Sequence, residues 1–471
     1  MGEEDKEVKE KSITTLVFCL RGILVVSIVS SACLTFADTQ ATKRPNVIIF
    51  FTDDQGTLDA GCYGSKDLYT PNIDQLAATG VRFTQAYAHT VCCPSRALLL
   101  TGRHPQRSGV NSWTQGDMHA EDGINMALEE ITLAEVLKPA GYRTALFGKW
   151  HLGAHRDFGP AKQGFDEFFG IRDGFIDNYN HFFLHRDGFH DLYEGTQEVW
   201  AAGKYFPEMI TERSIAFIEQ NKARPFFLYL AFNTPHYPEQ ALKEHALRYK
   251  HLPMPRRTYA AFVTTTDHYI GRVLNTLQQL KLRENTIIIF MSDNGHSEED
   301  YQIRVEKHKS GYPKGHNYGA NGGGGNTGKW IGRKGTFLEG GIRVPAIISF
   351  PKTLPKGIVR DQAVTAADWF PTVLELCEIP LPDVKLDGKS LLSIINSAEA
   401  ASHHKIMHWQ WQNRWAVREG NWKLIRERGK TSLHNLADEQ PERKNYVGEK
   451  PDLVDRLNRL HEEWVKDVSP R

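Results

Sequence analysis

At 471 residues the chain is too long for one small core and suits a large α/β unit carrying an appendage. Lys and Arg total 57, as do Asp and Glu, so the formal net charge is zero and no basic excess argues for nucleic acid or an anionic membrane as partner. A hydrophobic content of 40% with 24% charged residues is ordinary for a globular protein in water.

Residues 1–37 read as an export signal. Lys6, Lys9 and Lys11 precede Ile13–Leu20, Arg21 interrupts, and the apolar core Ile23–Leu34 runs into the small-residue site Thr35-Phe36-Ala37. Arg21 leaves each apolar run short of a bilayer's thickness, so no stable membrane span is expected. The expected location is periplasmic or secreted. Cys33, after Ser30-Ser31-Ala32, leaves a lipid anchor as the alternative, although the usual Leu three places earlier is missing. Past a linker at 38–45 the chain keeps Cys62, Cys92, Cys93 and Cys377, too few and too scattered for a disulfide framework.

Asn46-Val47-Ile48-Ile49-Phe50-Phe51 is a continuous apolar run, the mark of a central parallel strand, and Asp53 and Asp54 come directly after it. Thr70 and Pro71 open a helix with Ile73, Leu76 and Ala77 on one face, ending at Gly80. Pro94 suits the first position of a second helix, which Gly102 stops. Cys92 therefore precedes a helix N-terminus, where free N–H groups favour negative charge, and Arg96 stands one turn later. That arrangement suits a reactive sulfur, or something made from it, as well as a small buried Cys pair. Thr144–Phe147 is a second strand; beyond it Lys149 and His151, two apart, point to one side and suit binding an anion and moving a proton.

Residues 172–200 are dense in aromatics and His without a clean period, and read as a long excursion over the site: a platform for sugars or a satellite core. Pro207–Asn221 has helical spacing. Pro225–Phe232 is a third strand, leading into Asn233-Thr234-Pro235-His236, and Thr258–Leu280 a long helix. Thr286–Met291 is a fourth strand, capped by Ser292-Asp293-Asn294-Gly295. The run Gly322–Gly325 leading to Gly328-Lys329 mimics a P-loop, but Trp330 replaces the Ser/Thr and no strand precedes it; a mobile loop near the site mouth is expected instead. Pro345–Phe350 is a further strand. From residue 401, Trp409, Trp411, Trp415, Trp422 and Leu424-Ile425 alternate with polar residues, as antiparallel strands with one covered face do, and Leu453, Leu457, Leu460 and Trp464 mark a closing amphipathic helix.

Taken singly, most of these patterns are as common in structural settings. Jointly, Asp53, Asp54, Cys92, Lys149, His151, His236, Asp293 and Asn294 each come after a strand or open a helix, at the edge where α/β enzymes bind ligands. The oxygen donors Asp53, Asp54, Asp293 and Asn294, without a His/Cys cluster, specify a hard cation, Ca²⁺ with Mg²⁺ as the alternative, rather than zinc. Arg96, Lys149, Lys334 and protonated His236 would surround the same place, which makes a pocket for an anion on a metal.

Cys92-Cys93-Pro94-Ser95-Arg96, with Thr101-Gly102-Arg103 after it, resembles the signature of the type I sulfatases, members of the alkaline-phosphatase superfamily. Gly141–Gly153 resembles that family's second signature, Thr234-Pro235-His236 its catalytic His setting, and Lys334-Gly335-Thr336 with Glu339-Gly340-Gly341 its sulfate-contacting Lys segment. The resemblance implies a large mixed, mostly parallel sheet between helices over 46–400, alkaline-phosphatase-like, with a small antiparallel sheet plus helix at 401–471. It also implies that Cys92 is converted to formylglycine by a maturation enzyme, Cys93 being only the variable residue. The aldehyde hydrate would share the cation and attack sulfur. Lys149 and Lys334 would offset charge on sulfate, Arg96 would steady the hydrate, His236 would protonate the departing oxygen, and His151 would take the hydrate's second proton so that sulfate leaves. The implied substrate is a sulfated carbohydrate or an aryl sulfate. A phosphonate or phosphate diester hydrolase of the same superfamily, and a non-catalytic carbohydrate-binding relative, stay open as alternatives.

Overall fold

In the computed structural model of the chain, which describes residues 44–113, 125–299, 302–318 and 322–469, the apolar runs become the buried centre of one large sheet. The expected export signal and Cys33 lie outside the described residues. The main strands are β1 (Asn46–Thr52), β2 (Val81–Tyr87), β3 (Arg143–Lys149), β4 (Glu167–Ile171), β5 (Phe226–Ala231), β6 (Thr286–Ser292) and β7 (Arg343–Ser349), in the order β2-β7-β6-β1-β5-β3-β4. From β6 to β4 neighbours run parallel, with Val47 opposite both Ile287 and Phe227. β7 alone is reversed among these strands, which returns β2 to the common direction. The carboxyl ends of β1, β2, β3, β5 and β6 therefore share one edge.

Helices cover both faces because the buried strands carry apolar side chains on both. Val47, Ile49 and Phe51 pack on one face with α2 (Cys92–Thr101) and the later helix Trp369–Leu376. Ile48 and Phe50 pack on the other with α1 (Pro71–Ala78), α3 (Phe206–Asn221) and α4 (Arg256–Gln279). Each such side chain taken from water contributes about 1.5–3 kcal/mol. Every residue of α2 is buried, so this helix is held on all sides rather than along one stripe. Gly102 ends it at φ 66, and a Cβ there would stand 2.9 Å from Phe370 Cβ.

Sequence periodicity passes over β2 and β4. Val81–Tyr87 alternates buried and half-buried positions near the sheet's edge and lacks a continuous apolar run; Glu167–Ile171 is too short to show a period. The glycine run, expected as a mobile loop, is packed: a Cβ on Gly324 would meet Tyr259 Cβ at 2.4 Å, and one on Gly325 would meet His296 Cβ at 2.1 Å.

Toward the C-terminus, β8 (Ile406–Trp411), β9 (Arg414–Glu419), β10 (Trp422–Glu427) and β11 (Lys430–Asn435) form an antiparallel meander. Val417, Leu424 and Leu433 face Leu457 of the helix Pro451–Val468. Both faces are covered, not one: Met407, Trp409, Trp411 and Ile425 pack on Tyr87, Val91, Phe337 and Ile342. Trp409 Nε1 donates to the Ala88 carbonyl at 2.9 Å, two residues before Thr90 and four before Cys92. Cys62, Cys92, Cys93 and Cys377 form no disulfide, and no helix among the described residues is long and apolar enough to cross a membrane.

Candidate active site

Strand ends deliver the side chains. β1 hands on to Asp53 and Asp54, the latter left-handed at φ 63, and Asp53 N donates to the Thr234 carbonyl at 3.0 Å beyond β5. Asp54 N donates to Asp293 Oδ1 at 3.2 Å, and Asp293 N returns to the Thr52 carbonyl at 3.1 Å, so the ends of β1 and β6 are laced together. β3 ends on Lys149, and His151 lies just beyond at φ 55 with its N–H on the Arg172 carbonyl. A non-glycine residue held left-handed costs of order 1–3 kcal/mol and persists only where its surroundings over-determine it.

These residues meet. One ligand atom each from Asp53, Asp54, Cys92 and Asp293 lies within 4.8 Å of the others, and all four residues are buried. Lys149 Nζ stands 2.5 Å from Asp53 Oδ2, Arg96 Nη2 2.8 Å from Asp293 Oδ2, and Lys334 Nζ 3.0 Å from Asp54 Oδ2. Burial pushes the Asp53 carboxyl up, but Lys149, then Arg96 and Lys334, bring it below its ordinary value. Asp54 is pushed up to about 8 by burial, against Lys334, with Asp53, Asp293 and Glu299 adding to the rise. Asp293 is also raised, by burial first and then by Asp53.

The carboxylates are thus under-compensated, and the buried Asn294 Oδ1 has no hydrogen-bond partner among the described residues while its Nδ2 donates to Asp54 Oδ1 at 2.7 Å. Turning that amide over would aim the orphaned oxygen at the carboxylates. A hard divalent cation fits this donor set. Together with Arg96, Lys149 and Lys334 it would outweigh Asp53, Asp54, Asp293 and Glu299 in charge, leaving positive charge over for an anion.

Cys92 departs from one expectation. The helix starts two residues earlier than expected, with Cys92 its first residue and Pro94 its third, and burial, Asp293 and Asp53 hold the thiol well above the ordinary range, Sγ donating to Asp53 Oδ1 at 3.4 Å. Burial first, and then the adjacent carboxylates, favour the protonated sulfur, so the unmodified residue is held as a thiol rather than a thiolate.

The histidines depart from another. His236 Nδ1 lies 2.7 Å from the Tyr237 carbonyl, an acceptor, so Nδ1 carries the hydrogen; Nε2 faces Asp54 Oδ2 at 3.6 Å and Glu299 Oε2 at 3.9 Å. Its ring stacks on Phe175, centroids 5.0 Å apart. His151 stacks on Trp113 at 6.1 Å, with Nε2 3.9 Å from Asp173 Oδ1. Burial, then Lys334 and Lys149 for His236 and Lys149 and Arg96 for His151, lowers both rings well below their ordinary value. His236 is therefore neutral here, not the fourth cation the sequence suggests.

Glu299 escaped sequence reading. Its Oε2 lies 3.4 Å from Lys334 Nζ, and Lys334, the strongest of its partners, pulls it down to about 2 despite burial. In sequence it is one of the acidic residues Glu298-Glu299-Asp300, which look like a solvated run. Asp173, Trp113 and Tyr259, whose hydroxyl donates to the Asp54 carbonyl at 2.9 Å, were equally unmarked. Within the aromatic excursion, Phe175, Phe183 and Leu184 join Tyr237, Ile303 and Tyr318 in a satellite core, and only Phe175 of the excursion's three touches His236.

A family model described as Sulfatase matches residues 45–379, and one described as N-sulphoglucosamine sulphohydrolase, C-terminal, matches 329–468. Mouse arylsulfatase J is 33% identical over 380 residues, covering 79% of this chain and 59% of the relative, so the chain spans under two thirds of that protein's length. Human arylsulfatase A is 33% identical over 382 residues, covering 76% of this chain and 69% of the relative. Among solved structures, Ps i-CgsB in complex with k-i-k-neocarrahexaose superposes with a TM-score of 0.75 at 28% identity, covering 90% of this chain and 93% of that one.

Proposed function

The chain belongs to the sulfatase family, and on that premise we propose that it hydrolyses the sulfate ester of a sulfated carbohydrate or an aryl sulfate, using formylglycine made from Cys92 and a Ca²⁺ ion on Asp53, Asp54, Asp293 and Asn294. The observation that carries this reading is the buried meeting of Cys92 with Asp53, Asp54 and Asp293, ringed by Arg96, Lys149 and Lys334. The relatives' names support the reaction class, and the complex of Ps i-CgsB with a neocarrahexaose supports a saccharide.

When present, the aldehyde hydrate supplies the attacking oxygen and the cation the Lewis acidity toward a sulfate oxygen. The chain's own groups do the rest. Lys149 and Lys334, anchored on Asp53 and Asp54, hold positive charge where negative charge gathers on sulfate. Arg96 spans Asp293 Oδ2 and the Lys149 carbonyl, at 2.8 and 3.1 Å, and so fixes residue 92's surroundings. His236, its Nδ1 hydrogen committed to Tyr237, has Nε2 free to hold the proton that passes to the departing alcohol. Burial and then Lys334 and Lys149 depress this ring, and an arriving anion would offset the lysines' part and so favour protonation on binding. His151, its Nε2 3.9 Å from Asp173 Oδ1, would take the proton of the hydrate's second hydroxyl, so that the bond to the sulfate oxygen breaks and inorganic sulfate leaves. Residues 1–37 supply the export that such a substrate outside the cell requires.

The test is release of inorganic sulfate from 4-nitrophenyl sulfate and from defined sulfated saccharides, beside matched phosphate diesters, with mass spectrometry of the residue-92 peptide. Sulfate release together with an aldehyde at 92 is expected. Faster phosphodiester turnover, or an intact thiol in active enzyme, would reverse the assignment.

A further inference from the structure

The small C-terminal sheet meets the large one through apolar side chains and through Arg414, Arg418 and a buried lysine. Lys423, in β10, is fully buried, with Nζ 2.8 Å from Glu339 Oε1 and 2.5 Å from Glu442 Oε1. Glu339 Oε2 in turn accepts from Tyr87 Oη at 2.7 Å and Arg343 Nη1 at 3.1 Å, and Glu339 N donates to Glu442 Oε2 at 2.8 Å. Glu442 itself is held left-handed at φ 66. Burying these charges gains little for folding, since apolar residues of similar volume often serve as well or better. What such a clasp supplies is direction, because its partners accept one geometry only.

The geometry is passed on. Glu339 opens the short helix Glu339–Ile342, five residues after Lys334. Gly340 N donates to the Ile331 carbonyl at 2.7 Å, Gly335 N to the Thr90 carbonyl at 2.7 Å, and Gly295 N to the Gly341 carbonyl at 3.0 Å. The same four-residue helix is therefore bonded to the Lys334 segment and to the turn carrying Asp293 and Asn294. There is no slack between them: a Cβ on Gly295 would lie 1.8 Å from the Gly340 carbonyl oxygen, and one on Gly341 2.3 Å from that of Thr336. A shift of Glu339 must move Lys334.

We propose that Lys423, clasped between Glu339 and Glu442, is a positioning residue that holds Lys334 in the place where it meets the sulfate group. The inference rests on the reading of Lys334 as a sulfate contact. It assigns to the small sheet a part in the reaction, through Lys423, without contact with substrate.

A double-mutant cycle in the metal-loaded, matured enzyme tests it. Lys423→Met is combined with Glu442→Gln so that no buried carboxylate is left without its cation, and the pair is compared with Lys334→Ala and with all three changes together. The readouts are kcat/KM for 4-nitrophenyl sulfate, the inhibition constant of inorganic sulfate, and far-UV circular dichroism. The expected result is a folded K423M/E442Q protein with kcat/KM down on the order of tenfold, sulfate inhibition weakened by a similar factor, no further loss when K334A is already present, and partial recovery with Lys423→Arg. Should K423M/E442Q fail to fold, Glu442→Gln alone is expected to move the same two constants by a smaller, equal factor. Losses that multiply on top of K334A, or a folded variant with unchanged constants, would overturn the proposal. If K334A itself leaves both constants unchanged, the reading of Lys334 as sulfate contact is what has failed, and the tether falls with it.

Discussion

The carboxyl edge of the large sheet and the seam beneath the small sheet both bury charge, and the two differ in whether that charge is matched. At the edge, Asp53, Asp54 and Asp293 crowd together, Asp54 is pushed up to about 8 by burial, and a buried Asn294 oxygen lacks a partner among the described residues. At the seam, burial also pushes Glu442 up to about 7, but Lys423, Arg343 and Arg418 pull Glu339 down to about 2 despite burial, so that three cations face two carboxylates. A structural network neutralises its own charge, whereas a binding site leaves charge open for the group it will hold. If that contrast is real, perturbing the edge should change chemistry, and supplying a cation should make the edge behave like the seam.

The largest effect belongs to Cys92, the proposed source of the nucleophile. Cys92→Ala is expected to lower turnover by about 10⁴-fold or more with the circular dichroism spectrum unchanged. Chelation comes next: removing the cation is expected to cost at least about 100-fold in kcat, recovered with Ca²⁺, since a metal supplies several kcal/mol of charge stabilisation. Indifference to chelator would remove the contrast, because the edge would then be as self-sufficient as the seam. His236→Gln should lower kcat by about 10²- to 10⁴-fold, with the deepest losses on esters of the least acidic alcohols. Equal losses for all leaving groups would take the proton from His236.

A subtler signature is pH. In chelated protein the folded state holds a proton on Asp54 to about pH 8, while the unfolded chain releases it near the ordinary carboxyl value of 3.8. The folded state thus binds more protons across that window, so stability falls as pH rises through it. Melting temperature of the chelated protein should drop between about pH 4 and 8, and Ca²⁺ should restore most at the alkaline end. A flat profile would mean that the carboxylates are already compensated. Smallest of all, Cys93→Ala should leave kcat/KM within about twofold and cost on the order of 1 kcal/mol of stability, measured by urea unfolding. Loss of activity there would move the nucleophile assignment to the neighbour.

Much of this arrangement is written locally. Continuous apolar runs such as Asn46–Phe51 and Thr286–Met291 demand a buried parallel sheet, and the residues just past a strand's carboxyl end lie at the binding edge, so Asp53, Asp54 and Asp293 were legible before any fold. Gly102 stops α2 where expected because its backbone preference acts locally, while the start falls at Cys92, two residues before the expected Pro94. Less was legible where neighbours in space are far apart in sequence. Glu299 sits in what looks like a solvated acidic run, and Lys423 in an ordinary strand alternation; each acquires its role from Lys334 or Glu339.

Which residue types stand at the strand ends, and where α2 stops, depend on periodicity and on single-residue backbone geometry, so the amino-acid order alone settles them. The chemical state of those residues is a property of the folded chain: burial and neighbours hold the Cys92 thiol well above and the His236 ring well below their ordinary values and push the cation-free Asp54 up to about 8, and both faces of the small sheet are covered. Charge state arises from desolvation and from partners brought together across the whole chain, and neither quantity exists until the chain has folded.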